Sequence, residues 1–123
     1  MSELGDRLTE LRQDNQEKQR DIARLLHISS GSVSNYETGA HLPTVETLRT
    51  LAEHFEVTTD YLLGRTNSRV SAETLNKPFA EDISFGVLLE RLSELPMEKR
   101  TLLLALIEDM QISSYVKNHR GNP

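Results

Sequence analysis

The stretch from Gln19 to Gly39, QRDIARLLHISSGSVSNYETG, limits the possible folds more than any other part of the chain. Ile22, Ala23, Leu25 and Leu26 describe about two turns of helix beginning near Gln19. Ala23 places a small side chain mid-helix, where a second helix can cross closely. A break follows at His27-Ile28, and Val33 and Tyr36 lie six and nine residues beyond His27. That spacing seats a further helix on the first. Ser29 is its expected N-cap, with a hydroxyl able to accept a free backbone N–H. Gly39 is its expected left-handed stop. Two short helices thus meet at a sharp turn, and the second keeps its outer face free.

The flanking segments extend this pattern. Leu4, Leu8 and Leu11 recur at helical spacing in a first helix, expected from an N-cap at Ser2 to about Asn15. Thr44 is expected to cap a fourth helix carrying Leu48, Leu51, Ala52 and Phe55. Val57 and Thr58 start a fifth, with Tyr61, Leu62 and Leu63 expected in the core and Gly64 closing it. Residues 1–65 therefore predict a five-helix domain. Residues 66–82 are polar and lack a period, with Pro78 interrupting any helix, and read as a linker. Residues 83–116 read as a helical hairpin. Val87, Leu88, Leu89 and Leu92 lie on one helix, Leu95-Pro96 forms the corner, and Leu102, Leu103, Leu106, Ile107 and Met110 lie on the other. Residues 117–123 are expected to fray. The fold class expected is all-α.

Composition narrows the function classes. With no Cys there is no thiolate metal site and no cysteine nucleophile. His27, His41, His54 and His119 are separated by 14, 13 and 65 residues, without the close pairing of a local metal motif. No nucleophile elbow or phosphate loop is present, so neither enzyme activity nor a cofactor is expected. The longest uncharged apolar run, Thr101 to Ile107, is too short to span a bilayer. The N-terminus has no basic start or apolar signal core. A soluble, cytoplasmic protein without membrane contact is expected. The net charge of −5 opposes binding to a polyanion, but residues 18–43 carry Lys18, Arg20 and Arg24 against Asp21 and Glu37.

Leu11-Arg12, Gln19, Ile22-Ala23, Ile28-Ser29, Val33-Ser34, Tyr36-Glu37, Gly39, Pro43, Leu48, Ala52 and Asp60-Tyr61-Leu62-Leu63-Gly64 together carry a resemblance. Residues 4–65 resemble the XRE-like helix-turn-helix domains of phage repressors and Cro, a lambda-repressor-like fold of five helices. The resemblance implies operator binding and transcriptional regulation. It places Gln19 on a phosphate and Ser30 and Gly31 at base-reading positions, with Ser34 and Asn35 one turn on. Thr38 and the Gly39 backbone fall at phosphate-contacting positions, and Arg12 and Glu37 match a structural ion pair. His27 stands where the family carries Gly at the turn. Gln16-Glu17-Lys18 replaces Gly-Leu-Thr, so that corner is expected to lack its cap and hydrophobic staple. The recognition surface, Ser29-Ser30-Gly31-Ser32, has no Arg or Gln to read a base.

Among exposed helix-3 side chains, Asn35 alone can bond adenine bidentately in the major groove. The expected DNA-binding set is Lys18, Gln19, Ser29, Ser30, Gly31, Ser32, Ser34, Asn35, Thr38 and Gly39. The expected partners are double-stranded DNA and a second copy of the chain, bound through residues 84–116 as a homodimer or higher homo-oligomer. The leading expectation is a repressor on a (pseudo)palindromic operator. Two alternatives stay open: an autoregulating antitoxin, whose C-terminal helices mask a toxin, and an interaction protein that modulates another regulator.

Overall fold

The computed structural model describes the backbone of residues 3–120 and the side chains of residues 3–117. The Ser2 cap, residues 121–123 and the His119 side chain lie outside this range. The elements are α1 (Glu3–Asp14), α2 (Gln19–Leu26), α3 (Ser30–Thr38), α4 (Val45–Phe55), α5 (Thr59–Leu62), α6 (Ala72–Asn76), β1 (Pro78–Ala80), β2 (Ile83–Ser84), α7 (Phe85–Ser93) and α8 (Met97–Arg120). They divide into two compact units, residues 1–77 and 78–123.

In the first unit, α3 packs on α1 and α2, and α5 on α1 and α4. Leu4, Leu8, Leu11, Ile22, Ala23, Val33, Leu51, Ala52, Phe55, Val57, Tyr61 and Leu62 form its core, flanked by Leu26, Ile28, Tyr36 and Leu48. Burying these side chains supplies the driving force that short helices of modest propensity lack. Leu63, expected in the core, is 48% exposed. It sits at the C-cap of α5, past the last residue whose side chain the helix turns inward.

The helix ends follow local chemistry. The hydroxyls of Ser29, Thr44, Thr58 and Ser71 accept the N–H of Ser32, Thr47, Tyr61 and Thr74. Gly39 and Gly64 close α3 and α5 at φ 85° and 79°. Left-handed backbone also occurs at Gln16, His27 and Glu56, with φ between 55° and 57°, after α1, α2 and α4. Of these three, only His27 stands at a turn where the resemblance places Gly. Gly5 was missed. A Cβ at this position would clash with the Glu37 carbonyl, so α1 meets the end of α3 backbone to backbone.

Residues 66–82, expected to be a linker, carry α6 and β1, and residues 66–77 belong to the first unit. Arg69 reaches back to α1 and α5, donating from Nε to the Tyr61 hydroxyl at 3.1 Å and from Nη2 to Asp14 at 3.0 Å. Arg7 donates to the Thr66 carbonyl at 2.6 Å and to Asn67 Oδ1 at 2.8 Å, with its guanidinium 4.4 Å from the Tyr61 ring centroid. Tyr61 thus lies between two arginines, a cation–π arrangement that ties down the chain after α5.

In the second unit β1 pairs antiparallel with β2 through a turn with Glu81 at φ 54°. This two-stranded sheet is an addition to the expected helices. Phe79 and Phe85 meet edge to face at 5.4 Å, and α7 packs on both strands. α8 continues to Arg120, so residues 117–120 are helical where fraying was expected. No described residue of this unit is buried. Among the described residues, no helix is long and apolar enough to cross a membrane.

Candidate nucleic-acid interface

α2 and α3 are locked at their turn by backbone chemistry. His27 takes φ 57° and ψ 42°, and this bend lets the His27 N–H reach the Arg24 carbonyl and the Ile28 N–H reach that of Ala23. Ser29 then starts α3 in extended backbone. Val33, fully buried, anchors α3 inward beside Tyr36. At 100° per residue this turns Gly31, Ser34, Asn35 and Thr38 toward the opposite side.

Glu37 ties the end of α3 to both preceding helices. Its carboxylate accepts from Arg12 Nε at 2.7 Å, from Arg12 Nη2 at 3.1 Å and from Gln19 Nε2 at 3.1 Å. Burial pushes the Glu37 carboxyl up. Hydrogen bonds from Arg12 and Gln19, the guanidinium charge and the Thr9 hydroxyl outweigh that and hold it below its ordinary range.

At the α1–α2 corner, expected to lack its cap, the Lys18 side chain makes no cap bond, but the reciprocal bond to Asp21 is present. The Lys18 N–H donates to the Asp21 carboxylate at 2.8 Å, half of a capping box. Asp21 three residues into a helix after Lys18 was the signal for it. The same corner is braced from α4, where His54 Nε2 lies 2.8 Å from Glu17 Oε2.

The ten expected contact residues fall into two groups. The side chains of Lys18, Ser30, Ser34 and Asn35 make no hydrogen bond among the described residues, and Lys18 and Ser30 are exposed. Gly31 is also exposed, and a Cβ there would meet nothing nearer than Ser29 Oγ at 3.8 Å. The other group serves the fold. Gln19 bonds Glu37, and Ser29 and Ser32 share a hydroxyl–hydroxyl bond of 3.0 Å. The Thr38 hydroxyl donates to the Asn35 carbonyl and accepts from the Ala40 N–H, while Gly39 is the left-handed C-cap. No cluster of three or more His, Asp or Glu suited to a metal occurs among the described residues.

Residues 3–63 match the family model described as a helix-turn-helix domain. The chain is similar to the HTH-type transcriptional regulator ImmR of Bacillus subtilis, at 40% identity over 82 residues, covering 65% of each chain. It is also similar to the HTH-type transcriptional regulator AnsR of Bacillus subtilis, at 40% identity over 67 residues, covering 54% of this chain and 58% of that one. The chain thus spans about two thirds or less of these relatives' lengths. A transcriptional regulator from Listeria innocua has a crystal structure sharing the fold over 97% of this chain and 96% of that one, with TM-score 0.50 and 23% identity. Through the α2–α3 unit and the matched residues 3–63, the chain belongs to the XRE-like helix-turn-helix family.

Proposed function

We propose that the chain is a sequence-specific DNA-binding transcriptional regulator, which occupies a (pseudo)palindromic operator as a dimer and represses by occupancy. The observation that carries this reading is the outer face of α3. Ser30, Ser34 and Asn35 have uncommitted polar groups there, on a helix fixed by the Ser29 cap and the Val33 anchor. Polar groups on a rigid helix read base edges at low entropic cost. Asn35 is assigned to an adenine, Ser30 and Ser34 to neighbouring bases or phosphates, and Gly31 to the point of closest approach. Lys18 and the Gly39 backbone are assigned to the phosphates. Gln19, Ser29, Ser32 and Thr38 are assigned a place at the phosphate rim, their side chains being held by internal bonds.

A single recognition helix reads too few bases to select one site in a genome, which is the case for a dimer. The exposed apolar side chains of α8 supply a surface for it. The test is to incubate the full chain with sheared DNA of the source genome and sequence what it retains. An enriched motif with two half-sites about one helical turn apart is expected. Retention without any shared motif would overturn the reading.

A further inference from the structure

Arginine charge in residues 3–77 is largely neutralised at short range. Arg7 lies 3.3 Å from Glu3, Arg12 2.7 Å from Glu37, Arg49 3.2 Å from Glu53, Arg65 3.6 Å from Asp60 and Arg69 3.0 Å from Asp14. Arg20 and Arg24 differ. Both are exposed on α2, and neither has an ion-pair partner among the described residues. The nearby acids are committed elsewhere: Asp21 to the Lys18 N–H, Glu17 to His54, Glu37 to Arg12 and Gln19. Residues four apart share a helix face, so the two guanidinium groups form one ridge, one turn long. The ridge begins beside Lys18 and Gln19, at the α2 end that Glu37 ties to α3.

We infer that Arg20 and Arg24 form a phosphate-contact strip along the DNA backbone beside the groove that α3 enters. The inference rests on the reading of α3 as the DNA-facing helix. Three considerations support it. In helix-turn-helix proteins the first helix of the pair crosses the backbone. Guanidinium groups match phosphate oxygens bidentately. A chain of net charge −5 needs local, unneutralised cations to approach a polyanion, and α2 is where the first unit leaves its arginines unpaired.

The test uses the full chain and a fluorescently labelled 30-base-pair duplex of random sequence, so that no operator is required. Binding is followed by anisotropy between 50 and 200 mM salt for the wild type, R20A/R24A and R20K/R24K. The alanine pair is expected to bind ~10- to 100-fold more weakly, with a log–log salt slope shallower by about 2. The lysine pair is expected to keep the wild-type slope. Unchanged affinity in R20A/R24A, or lost affinity with an unchanged slope, would overturn the proposal and free the ridge for an acidic protein surface. If the wild type binds no duplex, the DNA-binding reading itself fails and the strip with it. Both side chains are exposed and alanine favours helix, so the melting temperature of R20A/R24A is expected to match the wild type. A fall in melting temperature together with the affinity would assign the arginines to the fold and overturn the proposal too.

Discussion

Arg12 and Glu37, 25 residues apart, form a two-nitrogen ion pair whose carboxylate side chain is only 6% exposed. Gln19 joins the same carboxylate, so one acid sets the mutual placement of α1, α2 and α3. Arg12→Ala leaves that carboxylate desolvated and short of its main partner. A loss of about 3 kcal/mol is expected, read by chemical denaturation. A change within ±0.5 kcal/mol would show the pair to be ornamental.

The same pair predicts an acid sensitivity. The Glu37 carboxyl is held below its ordinary value of 4.5, so the folded state binds this proton less readily than the unfolded chain. Its contribution is complete above that ordinary value and is lost as the pH falls through the lower, folded value. Glu37→Gln is expected to be less stable at neutral pH, with a flatter stability curve below pH 4.5. A parallel curve for the two proteins in that range would refute the assignment.

His27 occupies left-handed backbone at φ 57°, is exposed, and its imidazole has no partner among the described residues. His27→Gly relieves the side-chain clash and adds some entropy to the unfolded state. A net gain of about 0.5–1 kcal/mol is expected. A lower melting temperature would mean that the imidazole makes a contact the fold needs.

Gly31 sits within the first turn of α3, where a Cβ would make only an ordinary contact with Ser29 Oγ. A glycine in a helix costs ~0.5–1 kcal/mol against alanine, and packing does not demand one here. Gly31→Ala is therefore expected to raise the melting temperature while weakening binding to the recovered operator, because the added methyl obstructs close approach. A variant that gains stability and binds as well as the wild type would remove Gly31 from the interface.

Much of the first unit is legible from the chain alone because its signals are local. Leu4, Leu8 and Leu11 announce a helix by spacing, Ser29, Thr44 and Thr58 announce helix starts by their hydroxyls, and Ala23, Val33 and Tyr36 announce the crossing of α2 and α3. The clasp of Arg7 and Arg69 on Tyr61 has no such signal. It joins residues up to 60 apart through single side chains, so residues 66–71 read as polar and aperiodic although they are bound. The strands β1 and β2 span three and two residues, too short for alternation to register. At the candidate interface the residue types are visible in the sequence. Which hydroxyls and amides stay uncommitted depends on neighbours such as Glu37, which arrives from another helix.

The oligomer prediction follows from where burial stops. Among the described residues, every buried hydrophobic one lies between Leu4 and Leu62, whereas Leu102, Leu106, Ile107, Met110, Ile112 and Tyr115 on α8 are 48–66% exposed. At helical spacing Leu102, Leu103, Leu106, Ile107 and Met110 share one side of α8, and Leu104, Ile112, Tyr115 and Val116 lie on another. A helix apolar on two sides is stable in water only when other chain covers both. A second copy meets that need, and the 24 residues of α8, about 36 Å long, offer room for an interface of ordinary size. The full chain is expected to sediment as a dimer or larger at micromolar concentration, and L106D/M110D as a smaller species. A fragment ending at Lys77 is expected to be a folded monomer. One ending at Gly64 loses Arg69 and the Thr66 carbonyl, and is expected to be less stable by ~1 kcal/mol or more. The Lys77 fragment should also bind operator DNA far more weakly than the full chain, because its second half-site is no longer tethered. A monomeric full chain, or a Lys77 fragment that binds as tightly, would strip α8 of this role.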